Sequence, residues 1–184
     1  EWRFEFPEVL NEQGEFEGFD VVIGNPPYIS IQDLKRLEPE FPNYLKEVFE
    51  TTRSGNYDIY IPFLELASSL IDSKGKGMFI VPSKFFTTDY GKGIREYLIH
   101  KSILHSLVDF GHYQVFENAT TYTCIIGITR GYAKSVRYIK CIPERIMETI
   151  DSFNNINYEY LRNKIWMFED KNIHELLDKL NTNS

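Results

Sequence analysis

The sequence predicts an α/β fold with a mostly parallel sheet and an antiparallel edge, and three observations predict it. The run FDVVIG at residues 19–24 is almost wholly apolar and is stopped by two prolines, the pattern of a parallel strand buried on both faces. Ile59, Phe63, Leu66 and Leu70 recur at spacings of four, three and four, the period of an amphipathic helix. Further strand-like runs at 78–81 and 103–110 are separated by a second helical pattern at Ile94, Tyr97, Leu98 and Lys101. Strand alternating with helix is the signature of parallel sheets.

The remaining elements are weaker. Trp2, Phe4 and Phe6 alternate with charged residues before Pro7, which reads as a short half-exposed strand. Residues 11–18 are polar and glycine-containing, a loop. Residues 30–54 carry Pro39 and Pro42 among charged residues and read as a short helix plus loop. Asn56 or Asp58 is placed to cap the helix begun near Ile59, and Pro62 falls in its first turn, where a missing N–H costs least. Residues 73–77 (SKGKG) read as a turn. Residues 122–129 and 136–142 read as a fourth and a fifth strand, paired as a hairpin across Arg130 and Gly131. After Pro143 the pattern turns polar and helical at 144–153 and 173–180, so a boundary is expected near residue 143.

Composition bounds the function. The chain has 184 residues, 42% hydrophobic and 26% charged, the profile of an ordinary globular domain. Its 20 Lys and Arg against 27 Asp and Glu give a net charge of −7. That argues against nucleic-acid binding by the chain as a whole, though not against a local site within a larger protein. Cys124 and Cys141 are far apart and lack metal-ligand spacing, so two free thiols in a reducing compartment are expected. The four histidines are dispersed, and no metal site is expected. No apolar stretch approaches the roughly 20 residues of a membrane span.

The chemistry concentrates in Gly24-Asn25-Pro26-Pro27-Tyr28. Successive prolines fix φ, remove two backbone donors and hold the residues before them extended. The result is a stiff loop at the carboxyl end of a parallel strand, where ligands bind in open α/β sheets. It offers the Asn25 side-chain oxygen and the Pro26 carbonyl as acceptors beside the flat ring of Tyr28. An exocyclic amine on a purine is a poor nucleophile because its lone pair is delocalised into the ring. Acceptors on its two N–H bonds favour the pyramidal form and stabilise the positive charge that develops on methyl attack, with no general base required. Such a base must leave a duplex to be reached, and Tyr28 is placed to stack on it. The plainer alternative is a bare turn, since Asn-Pro and Pro-Pro are common loop punctuation.

The segment GFDVVIGNPPYI resembles motif IV of amino-methyltransferases that use S-adenosylmethionine. The segments around it resemble, in order, those of the gamma-type adenine-N6 DNA methyltransferases, above all the methyltransferase domain of type IIG restriction-modification enzymes. WRFEFPEVL resembles the stretch that precedes their motif IV, GNYDIYIPFLELASSL their motif V, GMFIVPSKFF their motif VI, and DFGHYQVFENATTYTCIIGI their motif VIII. The resemblance covers residues 1–140. It implies a Rossmann-like methyltransferase sheet and Asn25, Pro26, Pro27 and Tyr28 as the catalytic loop. It also implies that Asn25 and Pro27 line the methionine side of the cofactor and that Phe116 stacks on the flipped adenine opposite Tyr28. On its own, Phe116 reads more readily as a core aromatic.

The same resemblance implies S-adenosyl-L-methionine as cofactor, double-stranded DNA as substrate and a cytoplasmic, prokaryotic setting. The glycine-rich cofactor turn, motif I, is missing. Gly75-Lys76-Gly77 and Gly91-Lys92-Gly93 lack its context and read as turns. Residues 1–143 are therefore expected to be the C-terminal, catalytic half of a methyltransferase domain, and 144–184 a helical linker or the start of a target-recognition region. The remainder of a parent polypeptide would supply the cofactor turn, a target-recognition domain and any nuclease domain, leaving this chain alone inactive. The basic stretch Arg130, Lys134, Arg137, Lys140 and Arg145 reads either as a DNA-channel lining or as a solvated hairpin face. Competing functions are a non-catalytic scaffold of a restriction complex, a protein glutamine-N5 methyltransferase and an RNA methyltransferase.

Overall fold

The computed structural model describes residues 2–168 apart from Ser54, residues 118–120, Ile150 and Asn163. The helical pattern expected at 173–180 lies outside the described residues. Six strands form one sheet in the order β1-β2-β4-β3-β5-β6: β1 Phe19–Gly24, β2 Ile71–Pro82, β3 Leu104–Asp109, β4 Thr123–Thr129, β5 Ser135–Lys140 and β6 Asn154–Asn157. Strands β1, β2, β3 and β5 run the same way, and β4 and β6 run against them. The α/β class with a mainly co-directional sheet is as the sequence predicts.

Helices α4 (Tyr60–Leu70) and α5 (Lys92–His100) pack on one face of the sheet. The helices α1 (Trp2–Glu5), α2 (Ile31–Leu37), α3 (Phe41–Val48) and α6 (Tyr158–Leu161) are short. The main core lies between α4, α5 and that sheet face, with Tyr60, Ile61, Leu64, Ile71, Ile94, Leu98, Leu107 and Ile126 all fully buried. A smaller cluster of Val108, Phe110 and Ile139 covers part of the opposite face.

Several local expectations are corrected. Residues 2–5 are helical rather than extended. β1 pairs with β2 and offers this segment no strand partner, and Phe6 instead sets its ring edge against Phe19 at 5.3 Å. The buried stripe of α4 runs through Tyr60, Ile61, Leu64 and Ala67, whereas Phe63 is 43% exposed. The first turns of this helix are apolar on all sides, so periodicity alone could not choose the face. No side chain caps it; Asp58 instead accepts from Tyr90 Oη at 3.4 Å.

The SKGKG segment is not a free turn but part of β2. Its turn chemistry survives as a wide irregularity, where Phe19 pairs Ile71 and Val21 pairs Lys76, and where Asp72 Oδ1 accepts from Lys74 N. The expected β4–β5 hairpin does not form. β4 already has β2 on one side and β3 on the other, so no edge is free, and β5 crosses over to lie parallel to β3. The main antiparallel strand is thus interior, and the antiparallel edge is β6. Residues 143–149 hold a 3-10 turn and further turns rather than a helix. The chain then returns to the same sheet as β6, and Trp166 is 1% exposed in the same core.

One glycine is fixed by geometry. Gly18 has φ +114°, and a Cβ there would stand 2.7 Å from Asp72 N and 2.8 Å from Leu70 O. These are backbone atoms and cannot swing away. Gly18→Ala is expected to destabilise the fold by about 1–3 kcal/mol, read as a lower thermal midpoint at roughly 2–4 °C per kcal/mol.

Candidate active site

All the loops of interest gather at one end of the sheet. β1, β2 and β3 run the same way and end there, and β4 starts there. The rim is therefore built by the residues after Gly24, the 3-10 segment Ser83–Phe86, and the connection from Phe110 to Tyr122. This is the carboxyl end of the co-directional strands, where open α/β sheets place their ligands.

Asn25-Pro26-Pro27-Tyr28 leaves β1 as chain without regular structure. Pro26 is buried, Asn25 and Pro27 are exposed, and Tyr28 is half-buried. The Asn25 side chain has no hydrogen bond among the described residues, so its oxygen is free to accept from a ligand. Two bonds hold the chain beyond the loop: Ile59 N donates to Ile29 O at 2.9 Å and Ile31 N to Tyr57 O at 3.0 Å. The loop is thus stiffened by its prolines and pinned on its far side to the start of α4.

Tyr28 leans over the neighbouring strand, and its hydroxyl donates to Ile80 O at 3.1 Å. Burial pushes its pKa up to about 12, with the Cys124 thiol adding to the effect. A phenol whose folded pKa is raised adds stability that is complete below the unfolded value near 10 and is lost as pH rises through about 12. In an alkaline absorbance titration, Tyr28→Phe is expected to remove a phenol with midpoint near 12. Loss of a phenol titrating near 10 instead would contradict the half-buried, bonded hydroxyl.

Phe116 is half-buried in the connection after β3. That connection starts at a turn in which Gly111, with φ +58°, donates its N–H to Asp109 Oδ1 at 2.8 Å. It returns at Tyr122, whose carbonyl accepts from Ser83 N at 3.0 Å and Ser83 Oγ at 3.3 Å. β1 and β3 are three strand spacings apart in the sheet, roughly 14 Å. Tyr28 is bonded toward β2 at Ile80, and Tyr122 is tied to Ser83 just past the end of β2.

Three rim residues carry no clear signal in the sequence. Asp58 pairs with Ser30 in an isolated antiparallel bridge. Burial raises its carboxyl pKa, while Lys84 and the Tyr90 hydroxyl oppose the shift. Asp58, Lys84 and Tyr90 come from three segments, and the one hint is a lone acid in a stretch otherwise apolar. The basic stretch expected after β4 is dispersed. Arg130 Nη1 donates to Ile71 O at 3.3 Å at the opposite end of the sheet, Arg137 lies over Phe153 at 4.6 Å, and Arg145 pairs with Glu148 at 3.9 Å. Lys140 does reach the rim, where its Cε would stand 2.9 Å from a Cβ at Gly111.

A nucleoside cofactor needs a glycine-rich turn between a strand and a helix N-terminus. Among the described residues, Gly75 and Gly77 lie inside β2 and Gly93 lies in α5 against Thr51. Asn25 and Pro27, exposed at the end of β1, lie outside any such turn. No group of three or more His, Cys, Asp and Glu side chains fit to hold a metal ion is present among the described residues. Cys124 is buried and free, and Cys141 is half-buried and free. No helix among the described residues is long and apolar enough to cross a membrane.

The model of the Eco57I restriction-modification methylase family matches residues 1–116. The chain is 34% identical over 112 residues to the type II restriction enzyme and methyltransferase RM.Eco57I of Escherichia coli, covering 61% of this chain and 11% of that protein. It is 30% identical over 190 residues to the putative type II restriction enzyme and methyltransferase RM.MjaORFECS2P of Methanocaldococcus jannaschii, covering 99% of this chain and 15% of that one. Among solved structures, the type IIG restriction endonuclease BpuSI shares the fold with a TM-score of 0.58 at 17% identity, over 79% of this chain and 20% of that chain. The chain thus spans a small fraction of the length of the proteins it matches.

Proposed function

The chain belongs to the Eco57I restriction-modification methylase family, and from that premise we propose that it is the catalytic part of a DNA adenine-N6 methyltransferase. The observation that carries the reading is the loop after β1. It holds two acceptors on a proline-stiffened backbone, with an exposed Asn25 and a tethered aromatic ring beside them. Asn25 Oδ1 and the Pro26 carbonyl take the two N–H bonds of the adenine amine. Its nitrogen then becomes pyramidal, and the charge that grows on it meets fixed acceptors rather than solvent. Tyr28 and Phe116 hold the extruded base from its two faces. S-adenosylmethionine supplies the methyl group.

The reading includes a partner for β1. Val21 is 64% exposed and Ile23 75%, and with Met78 at 49% they leave an apolar strip on one face at the β1 edge. A β1 buried on both faces, as the sequence suggests, requires a further strand and its covering helix. We assign that role to the part of a longer polypeptide that carries the glycine-rich cofactor turn, and DNA recognition to another part. The low fraction of the relatives that this chain spans supports that division.

The test is label transfer. The longer polypeptide carrying this chain is incubated with methyl-labelled S-adenosylmethionine in the presence of duplex DNA, RNA and protein extract. Label is expected in DNA. Label confined to protein would favour a glutamine methyltransferase, and label confined to RNA an RNA methyltransferase.

A further inference from the structure

Arg95 is a charged residue that the proposed reaction does not use, and it is only 5% exposed. Its guanidinium meets three backbone carbonyls from separate turns. Nη1 donates to Phe85 O at 2.5 Å and Thr88 O at 2.8 Å, and Nε to Lys164 O at 3.2 Å. Burial lowers its pKa, and Glu96 and Asp89 act against that only at a distance. No ion pair involves Arg95 among the described residues. Burying a cation without a hydrogen-bonded carboxylate is costly, so the arrangement calls for a role that neutral side chains do not fill. A planar fork of donors can bind several carbonyls at once in fixed directions.

What those carbonyls belong to identifies the role. Phe85 and Thr88 lie in the segment after β2, and the other parts of the rim are tied to this stretch of chain. Tyr28 is bonded to Ile80 O just before it. The connection carrying Phe116 is bonded to Ser83 through Tyr122. The chain beyond α6 is bonded to it through Trp166 N and Phe86 O at 2.8 Å, with Trp166 packed on the rings of Phe85 and Phe86. Gly91 lets the turn close around the guanidinium, because a Cβ there would collide with Phe85 O and stand 2.8 Å from Arg95 Nη1.

We propose that Arg95 is a positioning residue for adenine methylation: by fastening the 83–88 segment to the chain at Lys164, it sets the spacing between the Tyr28 loop and the Phe116 loop. This rests on the function proposed above. Arg95 touches neither base nor cofactor. It acts through the segment that holds the Phe116 connection at Ser83 and directly follows the strand holding Tyr28 at Ile80.

Two measurements separate this role from plain stability. In the longer polypeptide, Arg95→Lys is expected to raise amide exchange at Ser83 and Trp166 by about tenfold or more, while Leu107 and Ile126 in the central strands keep their protection. In the longer polypeptide, Arg95→Met is expected to lower kcat by about 10²-fold with KM for DNA changed less than about threefold, the pattern of misplaced reacting groups. The fluorescence of 2-aminopurine at the target position should fall with kcat, and Arg95→Lys should recover part of both. Should Arg95→Met fail to fold, Arg95→Lys carries both arms. Unchanged protection at Ser83 and Trp166, or wild-type kcat and 2-aminopurine signal in a folded variant with a lowered Tm, overturns the proposal. A wild-type polypeptide that leaves DNA unlabelled would instead overturn the function on which it rests, and the exchange arm would still decide whether Arg95 holds the segment.

Discussion

Asn25→Ala, introduced into the longer polypeptide, is expected to lower the rate of methyl transfer to DNA by about 10²–10³-fold, the usual cost of removing one preorganised partner of a developing charge. The fold should hardly notice. Asn25 is exposed and makes no side-chain bond among the described residues, so its stability change should stay within about 0.5 kcal/mol. DNA affinity should change little, because the lost interaction strengthens only as the amine becomes positive, and such a loss appears in kcat. Asn25→Asp keeps an acceptor oxygen and is expected to recover part of the rate. Single-turnover methylation with each variant checks the order wild type, Asp, Ala. Equal rates for the three would show that the side-chain acceptor does no chemistry.

The second large effect concerns the two rings. Tyr28→Ala and Phe116→Ala should each weaken capture of an extruded adenine by roughly 1–3 kcal/mol, the range for loss of one base–aromatic stack. Binding of DNA with an abasic site at the target position measures the background, and 2-aminopurine fluorescence measures extrusion. Tyr28→Phe is the informative control. It keeps the ring and loses only the bond to Ile80 O, so its effect should be smaller than that of Tyr28→Ala. If Tyr28→Phe and Tyr28→Ala are equally impaired, the hydroxyl tether rather than stacking is what matters. If Phe116→Ala is silent, Phe116 is a core aromatic and the stack is one-sided.

Much of the fold is legible because strong local signals coincide with it. FDVVIG stopped by prolines marks β1, and the turn chemistry at residues 73–77 marks the irregularity within β2. Features set by partners distant in sequence are not legible. β1 reads as buried on both faces, yet Val21 and Ile23 stand exposed, with Met78 beside them on the paired strand β2, because nothing among the described residues covers that part of the sheet face. The alternation at Trp2, Phe4 and Phe6 carries a strand period, but a period cannot supply a neighbouring strand. A β4–β5 hairpin is the economical reading of a short connection, and it yields to β4 being enclosed by β2 and β3.

The site divides in the same way. The candidate loop at residues 24–28 stands out in the sequence because its stiffness and its acceptors are local properties of Asn-Pro-Pro-Tyr. The ties that hold its rim are invisible there. Tyr28 meets Ile80 across 52 residues, and Arg95 meets Lys164 across 69. Asp58 reads as a helix cap because a short acid before a helix usually is one; its actual partner, Tyr90, lies 32 residues away. Phe116 can be singled out only through resemblance, since an aromatic between a strand and a loop has no distinguishing pattern of its own.

The most direct measurement is the identity of the methylated nucleoside. DNA treated with the longer polypeptide and labelled S-adenosylmethionine is digested to nucleosides and separated. The proposed function predicts label in N6-methyldeoxyadenosine, abolished or nearly so by Asn25→Ala. Label in a methylated cytosine, or N6-methyldeoxyadenosine undiminished in Asn25→Ala, would contradict it.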